Sequence, residues 1–286
     1  MKVFAVGGTG YIGSSAVRAL LAEGHTVTGL VRSDDGTRTL EDTGASVVRG
    51  DLSEPDFTAQ LGDYDGVLYA AAGQGEAWDE VDAAATSALL DALSGSGKPL
   101  VRMSGSMVYG DTGDAPMSES DPYNPPDFLR GTAEQNKRVL DAGGLRGSVV
   151  HASLVYGRAG GDVPNTLLRA ARQEGAGVYV GGGMNRWDTI HVDDLGKLLA
   201  LTLSRSAATG KFVAAGPPLT LQQTARDVAQ ALGFDHTESV SGDKAQALFS
   251  FFAQPLTMNQ HFHNDRAADL GWTPSSASLM RALGEY

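Results

Sequence analysis

The chain is predicted to adopt an α/β fold in which a doubly wound parallel sheet carries helices on both faces. Short apolar runs such as residues 2–6 suit buried strands, and they alternate with longer segments whose apolar residues recur at helical spacing. Residues 2–32 join a strand, a glycine-rich turn, a helix and a second strand. No internal repeat, low-complexity run or flexible linker is visible, so the 286 residues are expected to form one large domain with a smaller appendage.

Composition excludes several functional classes. The net charge of −12 disfavours nucleic acid and anionic membranes as partners, because the average surface would repel both. Cysteine is absent, which excludes disulfides and thiolate chemistry. No apolar run of membrane-spanning length and no leader before the first strand are evident, so a cytoplasmic protein is expected. Nothing in the sequence predicts an oligomeric state.

The glycine-rich turn that follows the first strand predicts a dinucleotide site. In this Rossmann-type context Gly7 permits the tight turn, Gly10 lets the backbone approach a pyrophosphate, and Gly13 lets helix and strand pack closely. Free N–H groups at the helix start favour phosphate charge. The alternative is a simple strand-to-helix turn. The residues of this segment predicted to contact the cofactor are Gly7, Thr9, Gly10, Tyr11, Ile12 and Gly13.

The elements that follow are predicted from period and punctuation. Trp78 to Leu93 has apolar residues at near-helical spacing, and Thr220 begins a capping box before a helix that ends near Gly233. Further predicted strands lie at 25–31, 47–48, 67–70, 99–103 and 210–214, and further predicted helices at 14–23, 127–142, 194–203, 264–270 and 275–283. The order of these elements favours a parallel sheet built from βαβ units.

The end of the second strand bears on the choice of cofactor. An acidic residue that binds the ribose 2′-hydroxyl of NAD is usual at this place. In this chain Val31 occupies the acidic position, and Arg32 follows it. A guanidinium supplies a bidentate partner for a 2′-phosphate. The alternative is a solvated arginine at a strand end. The sequence therefore favours NADP over NAD, with NAD still possible.

Four motifs in order resemble those of the short-chain dehydrogenase/reductases, in particular the extended branch of epimerases and dehydratases. The glycine spacing G-x-x-G-x-x-G comes first, followed by S-G-S-M-V-Y-G at 104–110, a V-Y-G turn at 155–157 and R-W-D-T-I-H-V-D-D-L at 186–195. The resemblance implies an NAD(P)-dependent enzyme acting on a small molecule. It also implies a nucleotide-binding core at 1–157 and a substrate-binding cap at 158–286, with residues 187–214 returning to the core.

The same resemblance extends the predicted cofactor site. A D-L pair such as Asp51-Leu52 caps the adenine pocket in that family, although Asp51 would also serve as a helix cap. The three alanines Ala70, Ala71 and Ala72 resemble the small-residue turn beside the cofactor ribose, where a side chain would obstruct the backbone's approach.

The catalytic pattern of the family is missing. Its members use a tyrosine and a lysine four residues apart on the fifth helix, where the ammonium lowers the pKa of the phenol. Arg130 and Glu134 stand near those places, and a solvated i,i+4 ion pair between them is expected. The R-x-x-x-E arrangement and V-Y-V-G-G-G-x-N-R-W at 178–187 resemble atypical members of the superfamily.

Other groups must then supply the acid or hold the substrate oxygen. The candidates are Ser104, Ser106, Tyr109 and His151, of which the histidine is expected near the carboxyl ends of the strands or simply in the core. No metal site is expected, because the histidines at 261 and 263 have no third histidine nearby and a loop is the simpler interpretation.

Three functional hypotheses remain open from the sequence. The first is an NADP-preferring oxidoreductase that acts on a small carbonyl or alcohol. The second is a nucleotide-sensing protein without catalysis, which the missing tyrosine and lysine favour. The third is a non-redox epimerase, dehydratase or cyclase that uses the same pocket. Trp187 and the aromatic residues at 249–252 suggest an apolar substrate wall, although core packing would explain them as well.

Overall fold

The structure, a computed structural model, describes residues 1–73, 76–275 and 278–286. Its strands are β1 (Lys2–Val6), β2 (Thr26–Val31), β3 (Ser46–Arg49), β4 (Gly66–Tyr69), β5 (Pro99–Gly105), β6 (Arg146–Ala152), β7 (Leu154–Tyr156), β8 (Gly177–Val180), β9 (Arg186–His191), β10 (Gly210–Ala214), β11 (Pro218–Thr220) and β12 (Thr237–Val240).

The helices alternate with these strands over most of the chain. They are α1 (Tyr11–Ala22), α2 (Asp34–Glu41), α3 (Glu76–Leu93), α4 (Arg130–Asp141), α5 (Asp162–Glu174), α6 (Val192–Ser204), α7 (Leu221–Leu232), α8 (Gly242–Phe249), α9 (Asp265–Asp269) and α10 (Leu279–Ala282). Short 3-10 segments lie at Pro55–Asp63, Ser106–Tyr109, Asp127–Leu129, Ser250–Phe252, Pro255–Thr257 and Leu283–Glu285.

The main sheet is parallel throughout, with the order β10-β6-β5-β4-β1-β2-β3. The order runs outward in both directions from the β1–β4 pair, which confirms the predicted doubly wound fold. Alternate residues of β1 face opposite layers, because successive strand side chains point to opposite faces. Val3 and Ala5 pack with α1 and α6, whereas Phe4 and Val6 pack with α3 and the 3-10 segment at Pro55–Asp63.

A second apolar cluster lies outside the main sheet. It is built by β7, β8 and helices α5, α7, α8 and α10, and it includes Trp187 and Phe252. The small parallel pair β8–β12 and the three-stranded sheet β11-β9-β7 belong to this region. We call this region the cap and the main sheet with its helices the core.

Chain segments pass from the cap back to the core. Strand β10 pairs with β6 at the edge of the main sheet, and α6 packs against α1. The small α9 and Trp272 join the same layer of the core. The exact division at residue 157 stays a prediction.

Most predicted elements are observed with shifts of a few residues at their ends. The predicted helix at 127–142 begins instead as a 3-10 turn and becomes α-helical at Arg130. Thr220 caps α7 as expected, since its hydroxyl accepts from the Gln223 N–H at 3.0 Å, but the Gln223 side chain donates to Asp227 rather than closing the capping box. Among the helices described, not one has the length and apolar character needed to cross a bilayer.

Candidate functional site

A cavity of about 650 Å³ opens at the carboxyl ends of the main strands, beside the β1–β4 pair. This is the crevice in which open α/β sheets bind ligands. Its lining runs from the ends of β1 and β2 to the ends of β5 and β6 and then into the cap. The predicted cofactor residues that line it are Gly7, Thr9, Gly10, Tyr11, Ile12, Arg32, Leu52, Ala70, Ala71 and Ala72.

The glycine turn is packed too closely for a side chain at two of its three predicted glycines. Gly7 has φ +79°, and a Cβ there would lie 2.4 Å from the Ala71 nitrogen. A Cβ on Gly13 would lie 2.1 Å from the Gly7 oxygen, so Gly13 serves close packing without lining the cavity. Gly10 is less crowded, with the Gly7 oxygen 3.3 Å from its hypothetical Cβ. No side chain caps α1, which leaves its first N–H groups free to bind an anion.

Arg32 stands exposed at the far rim of the cavity, where β2 has ended at the buried Val31. Ser33 follows on the same rim and caps α2 by accepting from the Gly36 N–H at 3.2 Å. The guanidinium therefore reaches solvent at this rim of the cavity. Asp51 itself does not line the cavity. It accepts from the N–H and hydroxyl of Ser53, which lowers its pKa, and the nearby charge of Arg32 adds to this effect.

Ser104, at the end of β5, lines the opposite end of the cavity and has a proton to donate. The Asn136 amide nitrogen donates to the Ser104 hydroxyl oxygen at 2.8 Å, and the Asn136 carbonyl oxygen accepts from Arg102 Nε at 2.8 Å. Because an arginine can only donate, the amide orientation is settled by this contact. The Ser104 oxygen is therefore an acceptor towards Asn136, and its own hydrogen is left for a ligand.

A buried ion pair holds this arrangement in place. Arg102 Nη1 and Nη2 donate to the two carboxylate oxygens of Asp82 at 2.8 and 2.6 Å, and the Tyr69 hydroxyl donates to the same carboxylate at 2.5 Å. Burial lowers the pKa of Arg102 but the contacts with Asp82 outweigh it, so its pKa lies above the usual value and the guanidinium stays charged. The two-point geometry fixes the Nε direction on which Asn136 depends.

Ser106 lines the same end of the cavity but is placed differently. Its hydroxyl donates to the Gln260 side-chain oxygen at 2.7 Å. The Gln260 amide nitrogen donates to the Gly110 and Asn259 carbonyls at 2.6 and 3.0 Å, so its oxygen must face Ser106. The Ser106 proton is thus committed within the protein, and towards the cavity this residue can only accept.

Ser153, which sequence reasoning did not single out, is a further hydroxyl-bearing residue of this lining. It follows β6, and within the described part of the chain its buried oxygen has no hydrogen-bond partner. A buried hydroxyl without a partner destabilises the fold, and a ligand that hydrogen-bonds to it would remove that penalty. The signal in the sequence was its place two residues after His151, which was expected near the carboxyl ends of the strands, where active-site residues of such sheets lie.

Tyr109 and His151, the two other candidates, are fully buried outside the cavity lining. The His151 Nε2 lies 2.9 Å from the Tyr123 hydroxyl and its Nδ1 lies 3.2 Å from the Phe212 carbonyl, so Nδ1 carries the proton. Burial lowers the pKa of His151 to about 3. Tyr109 packs edge-on against His151 and Tyr123, and burial raises its pKa above the usual value.

Helix α4, where the family places its tyrosine and lysine, contributes no side chain to the lining described here. Arg130 and Glu134 are both exposed. The prediction of an ion pair between them is wrong. Arg130 forms its ion pair with Asp127, three residues earlier, at 2.7 Å. Neither residue is placed to touch a ligand in the cavity.

Of the two histidines near the end of the chain, His261 is half-buried against Asp188, whereas His263 is exposed. His261 Nδ1 lies 2.8 Å from Asp188, whose other oxygen accepts from the Phe262 N–H at 2.7 Å. Burial raises the pKa of Asp188 to about 6, and the hydrogen bond from His261 opposes that rise. Across the three described ranges, no group of three potential metal ligands comes together.

Comparison with known proteins gives the chain a family context. The model of the NAD dependent epimerase/dehydratase family matches residues 3–216. An uncharacterized protein of Schizosaccharomyces pombe is 28% identical over 99% of this chain and 98% of its own length. The 2-alkyl-3-oxoalkanoate reductase of Stenotrophomonas maltophilia is 26% identical over 82% of this chain and 76% of its own length.

The same architecture is found among solved structures. The crystal structure of the dTDP-glucose 4,6-dehydratase from Streptomyces venezuelae, which has NAD bound, superposes with a TM-score of 0.79 at 21% identity. The match covers 100% of this chain and 97% of that one. At this level of identity the likeness shows the fold.

Proposed function

Because the chain belongs to the NAD dependent epimerase/dehydratase family, we propose that it is an NADP-preferring oxidoreductase that interconverts a small carbonyl compound and its alcohol. The observation that carries this proposal is one continuous cavity with Arg32 at one end and the Ser104 hydroxyl, with an uncommitted proton, at the other. The first is suited to a 2′-phosphate and the second to a carbonyl oxygen.

The residues present fit a dinucleotide along its whole length. The uncapped start of α1 holds the pyrophosphate at Gly10, and the alanines at 70–72 leave room for the ribose beside β4. When bound, the nicotinamide supplies or accepts the hydride. Arg32 would hold the 2′-phosphate, because its planar guanidinium can offer two parallel donors, which an ammonium cannot.

In the direction of reduction, Ser104 donates a hydrogen bond to the carbonyl oxygen of the substrate. Negative charge grows on that oxygen as the carbon is reduced, and a preoriented donor stabilises it without reorganisation. The Asn136 contact holds the Ser104 oxygen so that its hydrogen turns to the cavity. Ser153 is a second donor to the same region, and solvent water supplies the proton that completes the alcohol.

A non-redox epimerase or dehydratase is the second candidate, and the family to which the chain belongs favours it. Such a reaction would also use the cofactor pocket and an oxygen-holding hydroxyl. It differs in outcome, because cofactor would not be consumed in the overall reaction. Following absorbance of NADPH during turnover therefore separates the two candidates.

The cofactor preference is tested by calorimetry with NADPH and NADH. Arg32→Ala should weaken NADPH binding by about 1–3 kcal/mol, the cost of a lost charged hydrogen bond, and leave NADH nearly unchanged. The control is Arg38→Ala, since Arg38 is an exposed arginine of α2 outside the cavity lining. Tighter binding of NADH by the native protein would overturn the preference for NADP.

A further inference from the structure

The end of the cavity beyond Ser104 is built from apolar side chains of the cap and core. It is lined by Met107, Val163, Trp187 and Phe252. The Trp187 indole N–H donates to the Met258 carbonyl at 2.9 Å, so its one polar atom is used within the protein. The ring can then offer a ligand only an apolar surface.

The charges around the lining are distributed unevenly. Among the lining residues that the structure describes, Arg32 is the cation and Asp162 the anion. Arg32 serves the adenosine end, whereas Asp162 stands beside Val163 at the apolar end. A diphosphate there would meet a carboxylate and no guanidinium or ammonium, the groups that recognise phosphate. None of the four residues that the structure does not describe is basic; they are Gln74, Gly75, Ser276 and Ala277.

Phe252 separates this apolar end from a second depression. The outer depression has a volume of about 290 Å³ and includes Asn165, Thr166 and Arg169, and Phe252 lines both spaces. Its ring lies 4.0 Å from that of Phe251, between centroids, on the 3-10 segment that begins at Ser250. Phe251 lines only the outer depression. Asp162 also lines both spaces, so Phe252 is the apolar one of the two residues that they share.

We propose that the substrate is an uncharged carbonyl compound with an apolar chain, and that Phe252 sets the length of chain the cavity accepts. This inference rests on the proposed oxidoreductase function and names the substrate class of the same site. The carbonyl oxygen lies at Ser104 and the chain extends along Met107 and Trp187 to the Phe252 ring. Each methylene buried there transfers from water to an apolar wall, so kcat/KM should rise about fourfold per carbon until the ring is reached.

The test uses straight-chain aldehydes from propanal to decanal with NADPH. The native protein should show kcat/KM rising with chain length to a plateau, and Phe252→Ala should move that plateau to longer chains. Phe251→Ala is the matched control and should leave the plateau where it is. Phe252→Leu keeps an apolar side chain in the cap cluster and should give an intermediate shift if Phe252→Ala does not fold.

A separate binding measurement distinguishes this inference from the proposed function. The corresponding primary alcohols and UDP-glucose are titrated calorimetrically into the protein saturated with NADPH, because an alcohol cannot pass a hydride to the reduced cofactor and only binding is measured. Affinity that rises with chain length, without turnover of any aldehyde, supports the apolar site and refutes the oxidoreductase. The proposed substrate class is overturned if UDP-glucose binds more tightly than the longest alcohol. It is also overturned if the chain length at the plateau is the same in the native protein, Phe252→Ala and Phe252→Leu.

Discussion

The replacement of Asn136 by aspartate tests whether the Ser104 hydroxyl donates its hydrogen bond into the cavity. Asn136 is fully buried and joins Arg102 Nε to the Ser104 oxygen, so an almost isosteric carboxylate would keep the fit. One carboxylate oxygen would still accept from Arg102. The other would accept from Ser104, because an ionised carboxylate can only accept. Asn136→Asp therefore turns the Ser104 proton away from the cavity while leaving every side chain in place.

The size of the effect follows from the loss of one donor at a developing negative charge. Removal of such a donor costs about 100- to 1000-fold in kcat. We expect the lower value, about 100-fold, since Ser153 remains as a second donor. KM should change little, because the apolar wall around Trp187 is untouched. At acidic pH, where the new carboxyl is protonated and can donate to Ser104 again, part of the activity should return.

Steady-state kinetics of NADPH oxidation across pH, with circular dichroism for the fold, measure these effects. Ser104→Ala should lose as much activity as Asn136→Asp at neutral pH but should show no recovery in acid. Ser106→Ala should lose less than about tenfold, because the Ser106 proton is held by Gln260. The reasoning is refuted if Ser106→Ala is the most damaging change while Asn136→Asp is nearly silent in a folded protein.

Three further predictions concern the glycine turn, the buried histidine and helix α4. Gly10→Val should abolish dinucleotide binding, as judged by calorimetry, yet keep a native circular dichroism spectrum, because its Cβ meets only the Gly7 oxygen at 3.3 Å. The unfolded chain protonates His151 near pH 6.5 and the folded chain near pH 3, so stability should fall as pH drops below about 6.5. The free energy of unfolding, measured with urea, should fall by up to about 1.4 kcal/mol per pH unit in this range, and His151→Gln should reduce that dependence. Glu134→Gln should leave turnover nearly unchanged, since the side chain is exposed outside the cavity lining, and a tenfold loss with normal NADPH affinity would contradict this.

The features that the sequence predicted well depend on residues close together in the chain. The turn at Gly7 and Gly13 lies within one βαβ unit, so its backbone conformation and its role at a helix start could be inferred from local spacing. The capping of α7 by Thr220 is equally local. The predicted ion pair between Arg130 and Glu134 is wrong although it is equally local. Two acidic residues, Asp127 and Glu134, lie within reach of Arg130, and local spacing does not choose between them.

The roles of the hydroxyl groups were decided by the tertiary structure. Ser104 and Ser106 are two residues apart and indistinguishable as candidates in the sequence. Asn136, which is 32 positions from Ser104, donates a hydrogen bond to it, and Gln260, which is 154 positions from Ser106, accepts one from that serine. A hydroxyl has one proton, and which neighbour takes it depends on partners that only folding brings within 3 Å.

Local patterns in the sequence thus determined most strands and helices and the glycine turn, because each depends on residues near in the chain. The pairing of the strands joins residues far apart in sequence, such as Val3 and Gly66. The tertiary structure alone decided which serine has a proton left to donate, that His151 is buried in the core, and that Phe252 lines both the cavity and the outer depression. Those properties depend on packing between the core and the cap. Such packing sets burial and proton ownership through residues far apart in sequence, and no local pattern records it.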